Sequence, residues 1–159
     1  MLVRRAEPAD LAAVAETLRQ AFAPFEPLYT PAGFTATTPG PEQLRARWGE
    51  GPMWVAEREG LIVGTVSAVP RPGELYVRSM AVRPEAQGLG AGAELLHTVE
   101  HFGRDAGEQR LSLTTTPFLA AAIRLYQRHG FVAIGEADLF GTPLLVMAKE
   151  IAGPPASGR

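Results

Sequence analysis

The sequence predicts one α/β domain in which a mixed sheet carries helices on both faces. A chain of 159 residues is long enough for one full core and short for two. Its 46% hydrophobic and 20% charged residues are typical of a globular protein. Adjacent strand patterns followed by two helix–strand units require both antiparallel and parallel pairing. We therefore expect a single domain over residues 1–151 and a disordered tail over 152–159.

The amino-terminal third alternates a strand with helical patterns. Residues 2–6 form a short strand, and Asp10 is placed to cap a helix over 11–22, where apolar residues recur at helical spacing. Residues 23–40 contain four prolines and are predicted to form an irregular, aromatic loop. A second helix follows over 41–48, with proline at its start.

The remaining two thirds give the rest of the sheet. Strands over 52–59 and 61–69 form a hairpin turning at Glu59–Gly60, and a third strand covers 75–82. A helix over 84–107 is closed by Gly107, and a helix over 119–129 by Gly130. The remaining strands are predicted at 110–116, 131–137 and 143–151. The order is β-α-α-β-β-β-α-β-α-β-β.

Composition excludes several classes of function. The net charge is −2 without a run of like charges, which argues against nucleic acid or an anionic membrane as partner. No apolar stretch reaches the roughly 20 residues of a membrane span, and the start of the chain does not resemble a signal peptide. Zero cysteines exclude disulfides, thiol catalysis and cysteine-bound zinc. We expect a cytoplasmic protein.

The stretch RPEAQGLGAGAELL (83–96) carries the strongest functional motif. Three glycines stand where a helix begins, and no Ser, Thr, Asp or Asn is placed to cap it. A Walker loop is excluded because Gly-Lys-Ser/Thr is missing. GLGAGA matches G-x-G-x-x-A, but five residues separate it from the preceding strand, and the next strand lacks the acidic end of a dinucleotide site. A turn that packs closely through its small residues is a further alternative.

Anion binding explains the glycines and the missing cap together. The first amides of a helix have no partner within the helix, and the helix dipole adds a partial positive charge there. Glycines let a phosphate approach the backbone closely. We therefore expect a pyrophosphate at the position of the missing cap.

At this point the sequence resembles the GNAT superfamily of N-acetyltransferases. Gln87, Gly90 and Gly92 fit its Gln/Arg-x-x-Gly-x-Gly/Ala signature, and MAVRP (80–84) and AIRLYQRHGF (122–131) fit the flanking segments. The similarity extends from residue 2 to about 150. It implies a mostly antiparallel sheet of six or seven strands, splayed between the strands at 75–82 and 110–116.

The resemblance implies an acetyl-CoA-dependent enzyme. It would move the acetyl group to a primary amine of a small molecule or peptide by direct attack in a ternary complex. A non-catalytic acyl-CoA sensor of the same fold is the alternative. A homodimer is compatible with the resemblance, and no residue in the sequence decides it.

The resemblance also assigns cofactor-binding residues. The backbone amides of QGLGAG (87–92) would hold the CoA pyrophosphate. The preceding strand would pair with the pantetheine arm and polarise the acetyl carbonyl through an amide. Leu119 stands where many members have Asn, so Phe118 is expected to make an apolar contact instead. The cofactor-binding set is Met80, Ala81, Val82, Gln87, Gly88, Leu89, Gly90, Ala91, Gly92 and Phe118.

Tyr126 is implied to protonate the departing thiolate, since its ordinary pKa near 10 exceeds the value near 8.5 of a cysteine-like thiol; core packing is the alternative. Glu74 and Glu57 are candidates for the general base by their strand positions, unless the amine arrives neutral. The loop over 23–40 would border the acceptor through Phe25 and Tyr29, with Phe34 beside them.

HTVEH (97–101) matches a zinc-protease pattern, H-x-x-E-H. Helical spacing places His97 and His101 roughly opposite Leu95 and Val99, which must face the sheet. Both histidines therefore face water, and no metal site is predicted.

Overall fold

The computed structural model describes residues 1–152, so the predicted tail lies outside the described residues from position 153 onward. The helices are α1 (Leu11–Phe22), α2 (Pro31–Thr37), α3 (Pro41–Ala46), α4 (Ala91–Asp105) and α5 (Ala120–Arg128). The strands are β1 (Leu2–Arg5), β2 (Met53–Arg58), β3 (Leu61–Arg71), β4 (Glu74–Val82), β5 (Arg110–Thr115), β6 (Val132–Leu139) and β7 (Thr142–Glu150).

The strands form one sheet of seven, in the order β1-β2-β3-β4-β5-β7-β6. Every neighbouring pair is antiparallel except β4 and β5, which run parallel. The connection from β4 to β5 passes through α4, as a parallel crossover requires. The predicted mixed, mostly antiparallel sheet is confirmed.

Helices cover both faces of the sheet, each over its own hydrophobic cluster. On one face, Leu95 and Val99 of α4 are fully buried against the strands. On the other, Val14 and Leu18 of α1 pack on a second cluster that includes Val55. Successive strand residues point to opposite faces, so β2 contributes to both clusters.

Three local expectations are wrong. Residues 23–40 are not an irregular loop, because they form a 3-10 helix over Ala23–Leu28 and then α2, which starts at Pro31 with Thr30 as its side-chain cap. The long helix begins at Ala91 rather than at 84, after a separate 3-10 turn. Asp10 does not cap α1, because its carboxylate accepts hydrogen bonds from Arg4 and from the backbone amide of Glu7 instead.

Among the described residues, none of the helices combines the length and apolar character that crossing a bilayer would need.

Candidate functional site

The loop between β4 and α4 ends on a helix terminus without a protein cap. Gly90 takes the N-cap position in a left-handed conformation (φ 90°), and no side chain caps the helix. The first backbone hydrogen bond of the helix runs from the amide of Glu94 to the carbonyl of Gly90, at 3.1 Å. The amides at the start of α4 are therefore donors available to an anion, and the dipole of a 15-residue helix favours one there.

Gln87 holds this loop against the end of β4. Its side-chain Nε2 donates to the carbonyl oxygen of Val82 at 3.2 Å. The contact fixes where the following amides point, and it leaves those amides free. The structure thus gives the glutamine of the motif a positioning role within the loop.

The three glycines of the motif have different structural reasons. A Cβ at Gly88 or Gly90 would meet nothing within 4 Å, while both residues have positive φ. A Cβ at Gly92 would lie 2.8 Å from Cδ2 of Leu125 and 3.4 Å from Cε of Met80. Close packing of α4 on α5 therefore explains Gly92, whereas Gly88 and Gly90 border open space at the helix terminus.

β4 and β5 separate on the same side of the molecule. Their parallel pairing runs from Glu74 and Arg110 to Tyr76 and Ser112, and there it stops. β4 continues to Val82, with Ser79 at φ 56° where its register with β3 shifts. The splay leaves one edge of β4 available for an extended ligand to pair with.

The splay and the helix terminus open into one cleft of about 480 Å³, a size typical of small-molecule sites. Its wall combines residues from α1, the end of β4, the glycine loop and α5. Of the residues predicted along the strand and loop, all but Leu89 line the cleft. Two side chains of α1 that the sequence reasoning did not single out also line it. Together, these residues are Met80, Ala81, Val82, Gln87, Gly88, Gly90, Ala91, Gly92, Ala21 and Phe22.

Tyr126 lies in the wall of this cleft, on α5. Its side chain is buried, with 6% of the residue exposed. Burial, followed by the proximity of Tyr29 and Tyr76, raises the pKa of Tyr126 well above its ordinary value. The phenol is therefore neutral at physiological pH and keeps the proton that a hydrogen-bond donor or general acid needs.

The aromatic residues expected near the acceptor form one group. Phe25 stacks on Phe118 with ring centroids 6.3 Å apart. Tyr29 contacts Phe118 edge-on at 5.0 Å and Phe34 at 5.7 Å. Phe118 thus packs within the aromatic group, and its neighbour Leu119 lines the cleft together with Phe25.

Both carboxylates considered as general bases are already engaged. Glu74 accepts hydrogen bonds from Ser112 at 2.7 Å and from Arg110 at 2.9 Å. Burial acts to raise the pKa of Glu74, but these two contacts outweigh it and lower the pKa below its ordinary value. Glu57 binds Arg4 at 2.6 Å on β2, which β3 separates from β4.

A polar pair at the splay was missed by sequence reasoning. The hydroxyl groups of Tyr76 and Thr114 lie 2.9 Å apart, and Tyr76 belongs to the last residue pair before β4 and β5 separate. The alternation along β4 offered a way to find it, because Tyr76 lies on the same face as Glu74, two residues further along the strand.

His129, which directly follows α5, lines the cleft, whereas His97 and His101 do not. Its ring centroid is 5.9 Å from that of His97. His97 and His101 are exposed as predicted, and His101 pairs with Asp105 at 3.3 Å. Within residues 1–152, no three His, Cys, Asp or Glu side chains are arranged to hold a metal ion.

Comparison with known proteins identifies the family. Residues 15–131 match the acetyltransferase (GNAT) family. The chain is 37% identical over 91 residues to N-acetyltransferase 8B of Homo sapiens, a match that covers 54% of this chain and 40% of that protein. The chain thus spans well under half the length of that relative.

Two further comparisons extend over nearly the whole chain. N-acetyltransferase YjgM of Escherichia coli (strain K12) is 30% identical over 142 residues, covering 86% of this chain and 84% of that protein. The structure of yncA, an acetyltransferase from Salmonella typhimurium with acetyl-CoA, superimposes with a TM-score of 0.76 at 26% identity, covering 98% and 96% of the two chains. With the open helix terminus, the splay and the cleft between them, these matches show that the chain belongs to the acetyltransferase (GNAT) family.

Proposed function

We propose that this protein is an acetyl-CoA-dependent N-acetyltransferase that acetylates a primary amine of a small molecule or peptide. The observation that carries the proposal is the single cleft in which uncapped amides, the free edge of β4 and Tyr126 all meet. Family membership supports acetyl-CoA as the cosubstrate.

The chain would bind acetyl-CoA mainly through its backbone. The amides of residues 88–93 would donate to the pyrophosphate, and Gln87 would keep them oriented through its contact with Val82. The edge of β4 over Met80–Val82 would pair with the pantetheine arm. An amide of β4 at the splay would donate to the acetyl carbonyl oxygen and stabilise the negative charge that develops there.

The reaction is direct transfer. The amine nitrogen forms a bond to the carbonyl carbon, and the carbon–sulfur bond then breaks. Tyr126 would give its proton to the departing thiolate, the nitrogen would lose one proton to solvent as the amide forms, and Tyr126 would be reprotonated from solvent. A cysteinyl acyl-enzyme is excluded because the chain has no cysteine.

The acceptor ammonium must lose a proton before it attacks. The engagement of Glu74 by Ser112 and Arg110 supports a structural role for this carboxylate, and Glu57 is bound to Arg4. We therefore favour an amine that reaches the splay already neutral. A cytoplasmic location remains a prediction.

The test is release of CoA thiol from acetyl-CoA over a panel of primary amines, with a thermal melt in acetyl-CoA as the binding measurement. We expect a rise in Tm with acetyl-CoA and amine-dependent thiol release. Binding without turnover on any amine would instead indicate the acyl-CoA sensor. Stabilisation by NAD and none by CoA would contradict both functions.

A further inference from the structure

The face of β4 turned away from α4 carries the polar side chains of Tyr76 and Arg78, close to where β4 and β5 separate. Leu75 and Val77 are buried in the cluster under α4, so Tyr76 and Arg78 project from the opposite face. Tyr76 is near enough to Tyr126 to affect its pKa. Arg78 follows two residues later, about 7 Å along the strand.

Arg78 has hydrogen-bonding capacity that this part of the chain does not use. Its Nη2 donates to Glu50 at 2.7 Å. Its Nε is buried, and within residues 1–152 it has no hydrogen-bond partner. A buried donor without a partner is costly, which makes an added acceptor favourable at this position.

A second arginine, Arg47, is linked to the same glutamate, since the backbone amide of Glu50 donates to the carbonyl oxygen of Arg47 at 2.9 Å. Arg47 directly follows α3, whose Leu44 is buried in the cluster under α1. Arg47 is half-buried and lines a groove between α2 and α3. Burial, and then the like charge of Arg78, lowers the pKa of Arg47, while Glu50 acts in the opposite direction.

Of these two cations, only Arg78 has a carboxylate partner among the described residues. Glu50 is paired with Arg78, and among the described residues no carboxylate lies within ion-pair distance of Arg47. The planar guanidinium fork matches a carboxylate, with two parallel N–H···O bonds. Pro31, Ala32 and Phe140 line the same groove as Arg47 and offer apolar contacts there.

We propose that Arg47 and Arg78 bind a carboxylate of the acceptor, which makes the acceptor an amine of the amino-acid type. This inference rests on the proposed acetyltransferase function and names the substrate class within it. The amine would enter between Tyr76 and Tyr126, while the carboxylate stays on the arginine side.

The test compares matched pairs of amines with the full-length protein. Each pair is an amino acid and its neutral amide, such as phenylalanine with phenylalaninamide and methionine with methioninamide. The readout is the ratio of kcat/KM for acid over amide, measured by thiol release. A substitution that changes how the amino group or the side chain of the acceptor is bound changes kcat/KM equally for acid and amide, so this change cancels in the ratio.

We expect Arg47→Gln and Arg78→Gln each to lower the acid-to-amide ratio by about tenfold or more, because a charge-assisted hydrogen bond is lost. Glu50→Gln should raise the ratio, since the competing carboxylate is removed. Arg45→Gln is the matched control, because Arg45 is an exposed arginine on α3, and it should leave the ratio unchanged. Misfolding would lower kcat/KM for acid and amide alike, so a lower ratio in the arginine variants and a higher ratio in Glu50→Gln would indicate a change in carboxylate binding.

An unchanged ratio in Arg47→Gln and Glu50→Gln would overturn the inference. Acetylation restricted to amines without a carboxylate would also overturn it and would leave the proposed function standing. No thiol release with any amine would overturn both.

Discussion

Replacing Gly90 by Ala separates the binding role of the glycine loop from its structural role. Gly90 has φ 90°, and a Cβ built there meets nothing within 4 Å. The substitution therefore causes no clash and costs only the left-handed backbone, about 1–2 kcal/mol. For a domain of this size that corresponds to a fall in Tm of roughly 2–8 °C.

The effect on acetyl-CoA binding should be larger. The new methyl group stands beside the uncapped amides, where it would hold a pyrophosphate away from its donors. Losing one charge-assisted hydrogen bond costs about 1.5–3 kcal/mol. Binding is then weaker by about 10- to 150-fold.

Gly107→Ala is the matched control. Gly107 follows the other end of α4 with φ 78°, and a Cβ there also meets nothing within 4 Å. Calorimetric titration with acetyl-CoA and a thermal melt should show similar losses of Tm in the two variants and a binding defect only in Gly90→Ala. Equal Kd values in Gly90→Ala, Gly107→Ala and the unaltered protein would refute the reasoning.

Three further results are expected. Tyr126→Phe should slow turnover by about tenfold or more with little change in the affinity for acetyl-CoA, and unchanged thiol release would remove its role as general acid. Glu74 has a lowered pKa in the folded protein, so its stabilising contribution is present above the ordinary value near 4.3 and is lost as pH falls through the lowered value. In urea unfolding, Glu74→Gln should therefore have a free energy of unfolding about 1–2 kcal/mol lower at pH 7, and this difference should shrink below about pH 4. Turnover slowed by about two orders of magnitude without this pH dependence of stability would instead indicate that Glu74 is a general base. Leu95→Ala should lower the free energy of unfolding in urea by about 2–5 kcal/mol because Leu95 is fully buried. The control Leu61→Ala, at a residue 69% exposed, should lower it far less, and equal losses would contradict the described core.

The sequence was sufficient for the sheet and for the glycine loop because both depend on local patterns. Alternating strands and helical spacing specify which faces are buried, and a missing N-cap is visible in the residue types alone. The separate reasons for the glycines were not visible, because the packing of Gly92 on Leu125 joins two helices that are far apart in the sequence.

Side-chain partners across the sheet were the main limit on predicting the site. Glu74 looks like a free carboxylate in the sequence, yet Ser112 and Arg110, more than 30 residues away, bind it. Asp10 was misassigned for a more local reason, since Arg4, six residues earlier on β1, provides a partner that helix capping rules do not consider. The helix over Pro31–Thr37 was missed because the four prolines of 23–40 were interpreted as loop residues, although Pro31 occupies the first turn of this helix.

Binding of the CoA pyrophosphate at the uncapped start of α4 is the step on which the proposed function depends most. The most direct measurement is a titration of the isotopically labelled protein with CoA, followed through its backbone amide resonances. We predict large shifts for the amides of residues 88–93 and none for Ala106 and Gly107 at the far end of the helix. CoA binding that leaves the amides of residues 88–93 unshifted would contradict this role of the helix terminus.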